Sequence, residues 1–329
     1  MASRFLTVVG GLNMDLIFEA KRAPEAGESL DATSLFTLPG GKGCNTAIAT
    51  YRASHSKPRS RQDSNPALDI ASEENIQIFM NGAVGNDAFG EELKERLNSH
   101  NINTDGVLTI PDERSGTCLV IVDSATNDSR NLGYQGANLK WRPIDSNSIT
   151  CLAAGHIPDL VIAHLGIPRK TIESVLQIAR EKGVDTLLNP APAYHLGKDT
   201  YKCITHLVLN HAEASTLSGC TVENWRDAAA WFIRLGVKNV VITLGSKGAY
   251  FAMSGGVEGV VDAVKDVKIV DTTGAGDTFV GTYGADYVKQ KRKGVWDIRK
   301  AVWRACMAAA RTIERLGAQE AMPWLDEIE

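Results

Sequence analysis

Between residues 159 and 248 the sequence alternates short, wholly apolar runs with stretches of helical periodicity. DLVIAHLG (159–166) precedes PRKTIESVLQIAREKG, and VDTLLNPAP (184–192), HLVLN (206–210), VENWRDAAAWFIRLG and NVVITLGSKG (239–248) follow. A strand wetted on one face alternates polar and apolar side chains, whereas a strand that is apolar throughout must be covered on both faces. The pattern therefore predicts an α/β fold, a doubly wound and mostly parallel sheet with helices on both faces. Residues 16–38 and roughly 113–134 instead alternate polar and apolar positions between turn residues. That predicts exposed antiparallel strands forming a small β-sheet lid. The whole chain, 1–329, reads as one domain, with 54–75 a polar surface insertion, either a solvated loop or a docking segment.

Composition narrows the function classes. Hydrophobic residues make up 43% of the chain and charged ones 22%, ample for a large buried core. The net charge is −4 and no basic stripe stands out, so no nucleic-acid partner is expected. The six cysteines, Cys44, Cys118, Cys151, Cys203, Cys220 and Cys306, are scattered and read as reduced thiols, not a disulfide or zinc framework. The opening MASRFLTVVGG runs into a strand-like stretch without the plan of a signal peptide, and no apolar run reaches membrane length. A cytoplasmic protein with no membrane partner is the expectation.

Several strand-like runs end on a polar residue: His164, Asn189, Asn210 and Thr243, with Asn13 and Asp15 just after the first strand. Ligands of open α/β sheets bind beyond the carboxyl ends of the strands. Any one of these residues could be a turn residue; together they favour one ligand crevice.

Two glycine-rich stretches sharpen that reading. VKIVDTTGAGDTFVGTYGADYVKQ reads as a short strand, a tight turn and a helix from about 275 to 292. Gly274 and Gly276 let backbone approach a ligand, and the first helical N–H groups with Ala275 make a cradle for phosphoryl oxygens. The same field should hold Asp277 ionised, a weak base that suffices where a hydroxyl needs orienting and gives up its proton late. An acidic residue in a first helical turn is also plain helix stabilisation, and the stretch alone leaves both readings open. In LPGGKGCNTAIATYRAS (38–54), Gly40, Gly41 and Gly43 permit tight turns, while Lys42 and Asn45 offer donors at a helix start. Such donors, with Asp15 accepting from two adjacent hydroxyls, suit a polyol, whose buried polar groups each cost about 1–3 kcal/mol if left unpaired. An ordinary helix start with a solvated lysine is the other reading. The P-loop and H-R-D signatures are missing, and no G-x-G-x-x-G follows the first strand, which argues against P-loop enzymes, protein kinases and nicotinamide dehydrogenases.

The ordered set GGLNMD, GGKGCN, GAN (136–138), NPAPA (189–193), NHAE (210–213), TLGSKG (243–248) and DTTGAGDTF resembles the ribokinase/PfkB carbohydrate kinases, from about residue 5 to Trp324. NPAPA and GAQ…PW (317–324) are similar to its ribokinase branch. The resemblance implies a lid that closes over a sugar, and often a homodimer paired through lid strands. It implies that Asn13, Asp15, Gly41, Lys42, Asn45 and His164 surround the sugar and that Asp277 takes the proton of its primary hydroxyl. Gly274, Ala275 and Gly276 would form the anion hole. Asn210 and Glu213 would organise Mg²⁺ through water, Thr243, Gly245 and Gly248 would flank ATP, and Cys306 would face the adenine. Asp271 and Thr273, with backbone oxygens around Thr312, Arg315 and Gly317, would hold a monovalent cation, usually K⁺.

Four positions depart from the family pattern, Cys306 among them, which stands where His or Asn commonly faces the adenine. Gly166 stands where a glutamate usually touches the sugar, His164 replaces a common glutamine, and Ala321 replaces a hydroxyl residue of the cation site. The leading expectation is ATP-dependent conversion of D-ribose to D-ribose 5-phosphate. A nucleoside, pseudouridine or ketohexose kinase, or a sugar-binding regulator without chemistry, are the alternatives.

Overall fold

The computed structural model describes residues 3–58, 76–126 and 129–328, so most of the 54–75 insertion lies outside the described residues. The chain runs β1 (Arg4–Val9), β2 (Asn13–Ala20), β3 (Ser34–Gly40), α1 (Lys42–Ser54), β4 (Ile76–Gly85), α2 (Ala88–Asn98) and β5 (Asn103–Ile110). Next come β6 (Gly116–Asp123), β7 (Ser129–Tyr134), β8 (Leu160–His164), α3 (Arg169–Glu181), β9 (Asp185–Asn189) and β10 (His206–Asn210). The remainder is α4 (His211–Ser218), α5 (Trp225–Arg234), β11 (Asn239–Thr243), β12 (Ala249–Met253), β13 (Glu258–Val261), α6 (Ala275–Arg292), α7 (Ile298–Ile313) and α8 (Leu325–Ile328).

Nine strands form the main sheet in the order β13-β12-β11-β10-β9-β8-β1-β4-β5, parallel from β11 to β5 and antiparallel at the β12–β13 edge. Alternate residues of the central strands serve opposite layers. Leu6, Val8, Leu160, Ile162 and Val208 pack with Ile48 of α1, Phe279 and Tyr283 of α6 and Val302 of α7. Val9, Val161, Ala163, Leu188 and Leu207 pack with Ile172 and Leu176 of α3 and Phe232 of α5. Each fully buried side chain of this kind contributes about 1.5–3 kcal/mol. The expected two-sided parallel sheet is what forms. Among the described residues no helix is long and apolar enough to cross a membrane.

The segments 16–38 and 113–134 supply the strands of a separate four-stranded sheet, ordered β3-β2-β6-β7. It differs from the expectation in one respect: β2 and β6 run parallel, Asn13 opposite Gly116 through to Ala20 opposite Asp123. Only β2–β3 and β6–β7 are antiparallel. Polar–apolar alternation reports a half-exposed strand and carries no information on direction, because the period of two is the same either way.

Two close approaches position the helices of the site. A side chain at Gly281 of α6 would meet Ala49 Cβ at 2.7 Å, so glycine lets α6 lie directly on α1. Gly41, at φ +86°, turns the chain from β3 into α1, where an added Cβ would lie 2.6 Å from Asn13 N. That backbone region is costly for residues with a side chain.

Candidate active site

The polar strand ends gather at one edge of the main sheet. His164 of β8 lies opposite Asn189 of β9, and Asn210 of β10 opposite Thr243 of β11. Beside them the β1–β2 turn is tied to α1 by the bond from Gly43 N to Gly11 O, 3.0 Å. Asn138, from the GAN stretch, staples the same turn: its Oδ1 accepts from Leu12 N at 3.0 Å, and its Nδ2 donates to Leu12 O and to Asn13 Oδ1. Asn13 thus has its side-chain oxygen engaged in holding the turn.

Helix α6 begins at Gly274, φ +78°, and its first i−4 bond runs from Thr278 N to Gly274 O at 2.8 Å. The amides of Gly276 and Asp277 therefore precede the intrahelical ladder and face outward, as helix starts require. Gly276 is exposed, and an added Cβ there would meet nothing within 4 Å, so the cradle is open to the crevice. Asp277, 6% exposed, accepts from Asn45 Nδ2 on Oδ2 at 2.9 Å. The close packing of α1 on α6 makes this contact.

Asp15 comes from the other sheet. It crowds Gly40, where a Cβ would fall 2.1 Å from Oδ2, and it sits opposite Cys118 and Leu38. Burial, reinforced by the charge of Asp277, pushes its carboxyl up to about 7. Glu213 is raised in the same direction by burial, with Asp277 adding and Lys42 opposing. His164, fully buried, is held down to about 4, chiefly by burial, with Lys42 adding and the charge of Asp277 opposing. Asp15, His164 and Glu213 each feel the charge of Asp277, and His164 and Glu213 also that of Lys42, so these five residues cluster at this end of the sheet.

The tautomer of His164 follows from its neighbour. Asn189 Nδ2 donates to Val208 O at 2.8 Å, which leaves Asn189 Oδ1 as an acceptor for His164 Nδ1 at 3.1 Å. Nδ1 carries the proton, and Nε2 is a buried lone pair. With no accessible surface, His164 underlies the crevice wall.

Asn210 and Glu213 form a capping box on α4: Asn210 Oδ1 accepts from Glu213 N at 2.8 Å and Glu213 Oε2 from Asn210 N at 2.9 Å. The N-x-x-E pattern thereby has a structural role, and it leaves Glu213 Oε1 for other partners. Past Thr243, Gly245 (φ +59°) and Gly248 (φ +86°) carry a short turn into β12, closed by Leu244 N on Gly248 O at 2.8 Å. Cys306 lies on α7, its thiol pushed up to about 12 by burial.

Behind the α6 start, Asp271 ties two loops. Its Oδ1 accepts from Thr273 N at 2.9 Å and Thr273 Oγ1 at 2.6 Å, and its Oδ2 accepts from Gly317 N at 2.9 Å. Thr312 O already receives Arg315 N at 3.2 Å, and the Arg315 guanidinium turns away to Glu327. Two residues beside the site escaped the sequence reading. Gln319 donates to Asn45 Oδ1 at 2.9 Å, and buried Arg52 clamps the Gln319 and Met322 carbonyls at 2.7 and 2.9 Å. GAQ was visible as a motif; nothing in a linear pattern says what an amide faces.

The sequence profile of the "pfkB family carbohydrate kinase" matches residues 3–325. The ribokinase of Schizosaccharomyces pombe is 34% identical over 337 aligned positions, covering 98% of this chain and 96% of that protein. The Staphylococcus aureus ribokinase is 31% identical, with 98% of each chain covered. The structure of Arabidopsis thaliana ribokinase complexed with ribose and ATP has a TM-score of 0.83 and 26% identity, covering 100% of this chain and 98% of that one. With the fold, the glycine-rich turns and these likenesses in agreement, the chain belongs to the pfkB family of carbohydrate kinases.

Proposed function

We propose that the chain is a ribokinase, transferring the γ-phosphoryl group of ATP to the primary hydroxyl of D-ribose to give D-ribose 5-phosphate. The observation that carries this reading is the contact between Asn45 and Asp277 beside the outward amides of the α6 start. Asp277 aligns the hydroxyl and takes its proton as the bond to phosphorus forms. The outward amides of Gly276 and Asp277, in the turn built by Gly274, Ala275 and Gly276, stabilise the charge on the transferring oxygens. Asp15, Asn45 and Lys42, with the Gly41 turn, hold the other hydroxyls. Thr243, Gly245 and Gly248 border the nucleotide and Cys306 its base.

The donor chemistry suits Mg²⁺ held through water: Glu213 keeps Oε1 free near Asp277, and burial, with the charge of Asp277 adding, raises both Glu213 and Asp15. When bound, Mg²⁺ neutralises charge on the ATP phosphates. A K⁺ ion fits less completely. The Asp271 oxygens already accept from Thr273 and Gly317, Thr312 O from Arg315 N, and Ala321 adds no side-chain oxygen, which leaves mainly the backbone oxygens of Thr273 and Gly317. The protein is proposed to act in the cytoplasm, and to pair as a homodimer through the small-sheet face opposite Asp15, where Leu35, Leu132 and Tyr134 are exposed. Sedimentation of wild type beside Leu132→Lys tests the pairing.

Purified protein should release ADP with ribose faster than with 2-deoxyribose, fructose, uridine, pseudouridine or adenosine, with potassium present and absent. Asp277→Asn should lower kcat by about 10²–10⁴-fold with sugar binding retained. Near-normal turnover in that variant would falsify the base assignment.

A further inference from the structure

Four side chains from four separate segments connect the surface of α2 to the crevice. Arg96 Nε donates to Gln319 Oε1 at 3.0 Å. Gln319 Nε2 donates to Asn45 Oδ1 at 2.9 Å, and Asn45 Nδ2 donates to Asp277 Oδ2 at 2.9 Å. Arg96 also pairs with Glu320 at the surface. Gln319 is 4% exposed and Asn45 5%.

An isolated amide can turn over and exchange its donor and acceptor ends. This chain fixes both amides, because a guanidinium only donates and a carboxylate only accepts. Arg96 obliges Gln319 to present its oxygen outward and its NH₂ inward; Asn45 must then present its oxygen to Gln319 and its NH₂ to Asp277. The second Gln319 hydrogen finds the Cys44 sulfur at 3.4 Å, which reinforces the same orientation. The loop bearing Gln319 is held by the Arg52 bonds to its carbonyls. Arg52 in turn reaches His100 Nε2 at 3.1 Å, and His100 Nδ1 returns to Arg96 O at 3.0 Å, so the ring of contacts closes on α2.

We infer that Gln319 and Arg96 are positioning residues that set the Asn45 amide, and through it the Asp277 carboxylate, in the polarity that phosphoryl transfer needs. The inference rests on reading Asp277 as the base. Without the donor at Arg96, Gln319 can turn over and confront Asn45 with an acceptor. The Asp277 carboxylate, which still only accepts, keeps the Asn45 NH₂ on its side, so the clash falls between Asn45 Oδ1 and the turned Gln319 oxygen and pushes Asn45, and with it Asp277, off position.

Gln319→Glu is the telling variant, since it keeps the volume and the Arg96 contact but cannot donate to Asn45. It should keep its thermal midpoint while kcat falls about ten- to hundredfold and the ribose KM rises, with the ATP KM unchanged. Arg96→Met should show the same split, more weakly; Arg96→Lys, which still donates, should restore most of it; and Glu320→Gln should alter kcat less than about twofold. The Gln319→Glu/Arg96→Met double variant should be no worse than Gln319→Glu alone, as expected of links in one chain. If Gln319→Glu fails to fold, the Arg96→Met and Arg96→Lys pair decides alone. Wild-type kcat and ribose KM in Gln319→Glu, or in Arg96→Met, overturn the inference while an inactive Asp277→Asn leaves the base assignment standing. An active Asp277→Asn overturns the base assignment itself.

Discussion

Asn45 and Asp277 are separated by 232 positions in sequence and by 2.9 Å in space. One is the fourth residue of α1, the other the third of α6, and a glycine caps the start of each helix. Each half of the contact is therefore at a helix entry, where backbone donors are free and a ligand can approach closely. The pair is the meeting point of the two glycine-rich motifs.

Sugar affinity should rise with pH through neutrality. The Asp15 carboxyl is lifted to about 7 by burial and the neighbouring Asp277, so part of the empty enzyme carries a proton there at pH 7. An ionised Asp15 accepts from two sugar hydroxyls and is favoured by them, so binding expels that proton. The ribose dissociation constant should fall from pH 6 to pH 8 and level off above. Titration calorimetry in buffers of different ionisation enthalpy checks it; no proton release at pH 6.5 would count against an ionised Asp15 in the complex.

Gly41→Ala should destabilise the fold and the site together. At φ +86° a methyl group costs about 1–2 kcal/mol in the backbone alone. It also meets Asn13 N at 2.6 Å, forcing apart the β1–β2 turn and α1. A lower unfolding midpoint with a raised ribose KM is the expected pair of readings. An unchanged KM would show that the turn does not shape the sugar site.

Acid should loosen the protein through its buried histidines. His164 is held down to about 4 and His206 to about 3, in both cases mainly by burial. Their unfolded-state pKa is about 6.5, so below that value the unfolded chain binds protons that the folded chain refuses. Stability is complete above about pH 6.5 and declines as pH falls towards the folded values, by roughly 2 kcal/mol per histidine at pH 5. Asp15, raised in the folded state, works in the opposite sense, gaining stability as pH falls from 7. An Asp15→Asn/Glu213→Gln background removes both opposing carboxyls; thermal midpoints there that stay flat between pH 8 and 5 would contradict the histidine contribution.

Ribose should protect residues 16–38 and 113–134 from hydrogen exchange. These segments supply the small sheet, which is exposed along β3 and β7. Closure over bound sugar would exclude water and limit idle ATP hydrolysis. Equal exchange with and without ribose would argue for a static sheet.

Much of this architecture was legible because parallel strands advertise themselves. LVIAH, LLN, LVLN and VVIT are apolar up to their last residue, and the residue that breaks the run is at the carboxyl edge of the parallel sheet. The α6 boundaries, read as about 275 to 292, coincide with Ala275–Arg292, since a Gly-rich turn marks one end and basic residues the other. The parallel pairing of β2 with β6 was hidden, because direction leaves no trace in side-chain alternation. Gln319 was hidden for another reason: a buried amide is defined by both of its neighbours, and here they are Arg96 and Asn45, both more than 200 residues earlier.

The crevice is assembled from two bodies. Asp15 belongs to the small sheet, whereas Asn45 and Asp277 belong to helices on the large one, and the backbone passes between them at Gly40 and Gly41. A sugar gripped by all three is itself a cross-brace between the bodies. On the reading proposed above, the substrate would be the rivet of its own enclosure, and its departure as product would free the two bodies to part.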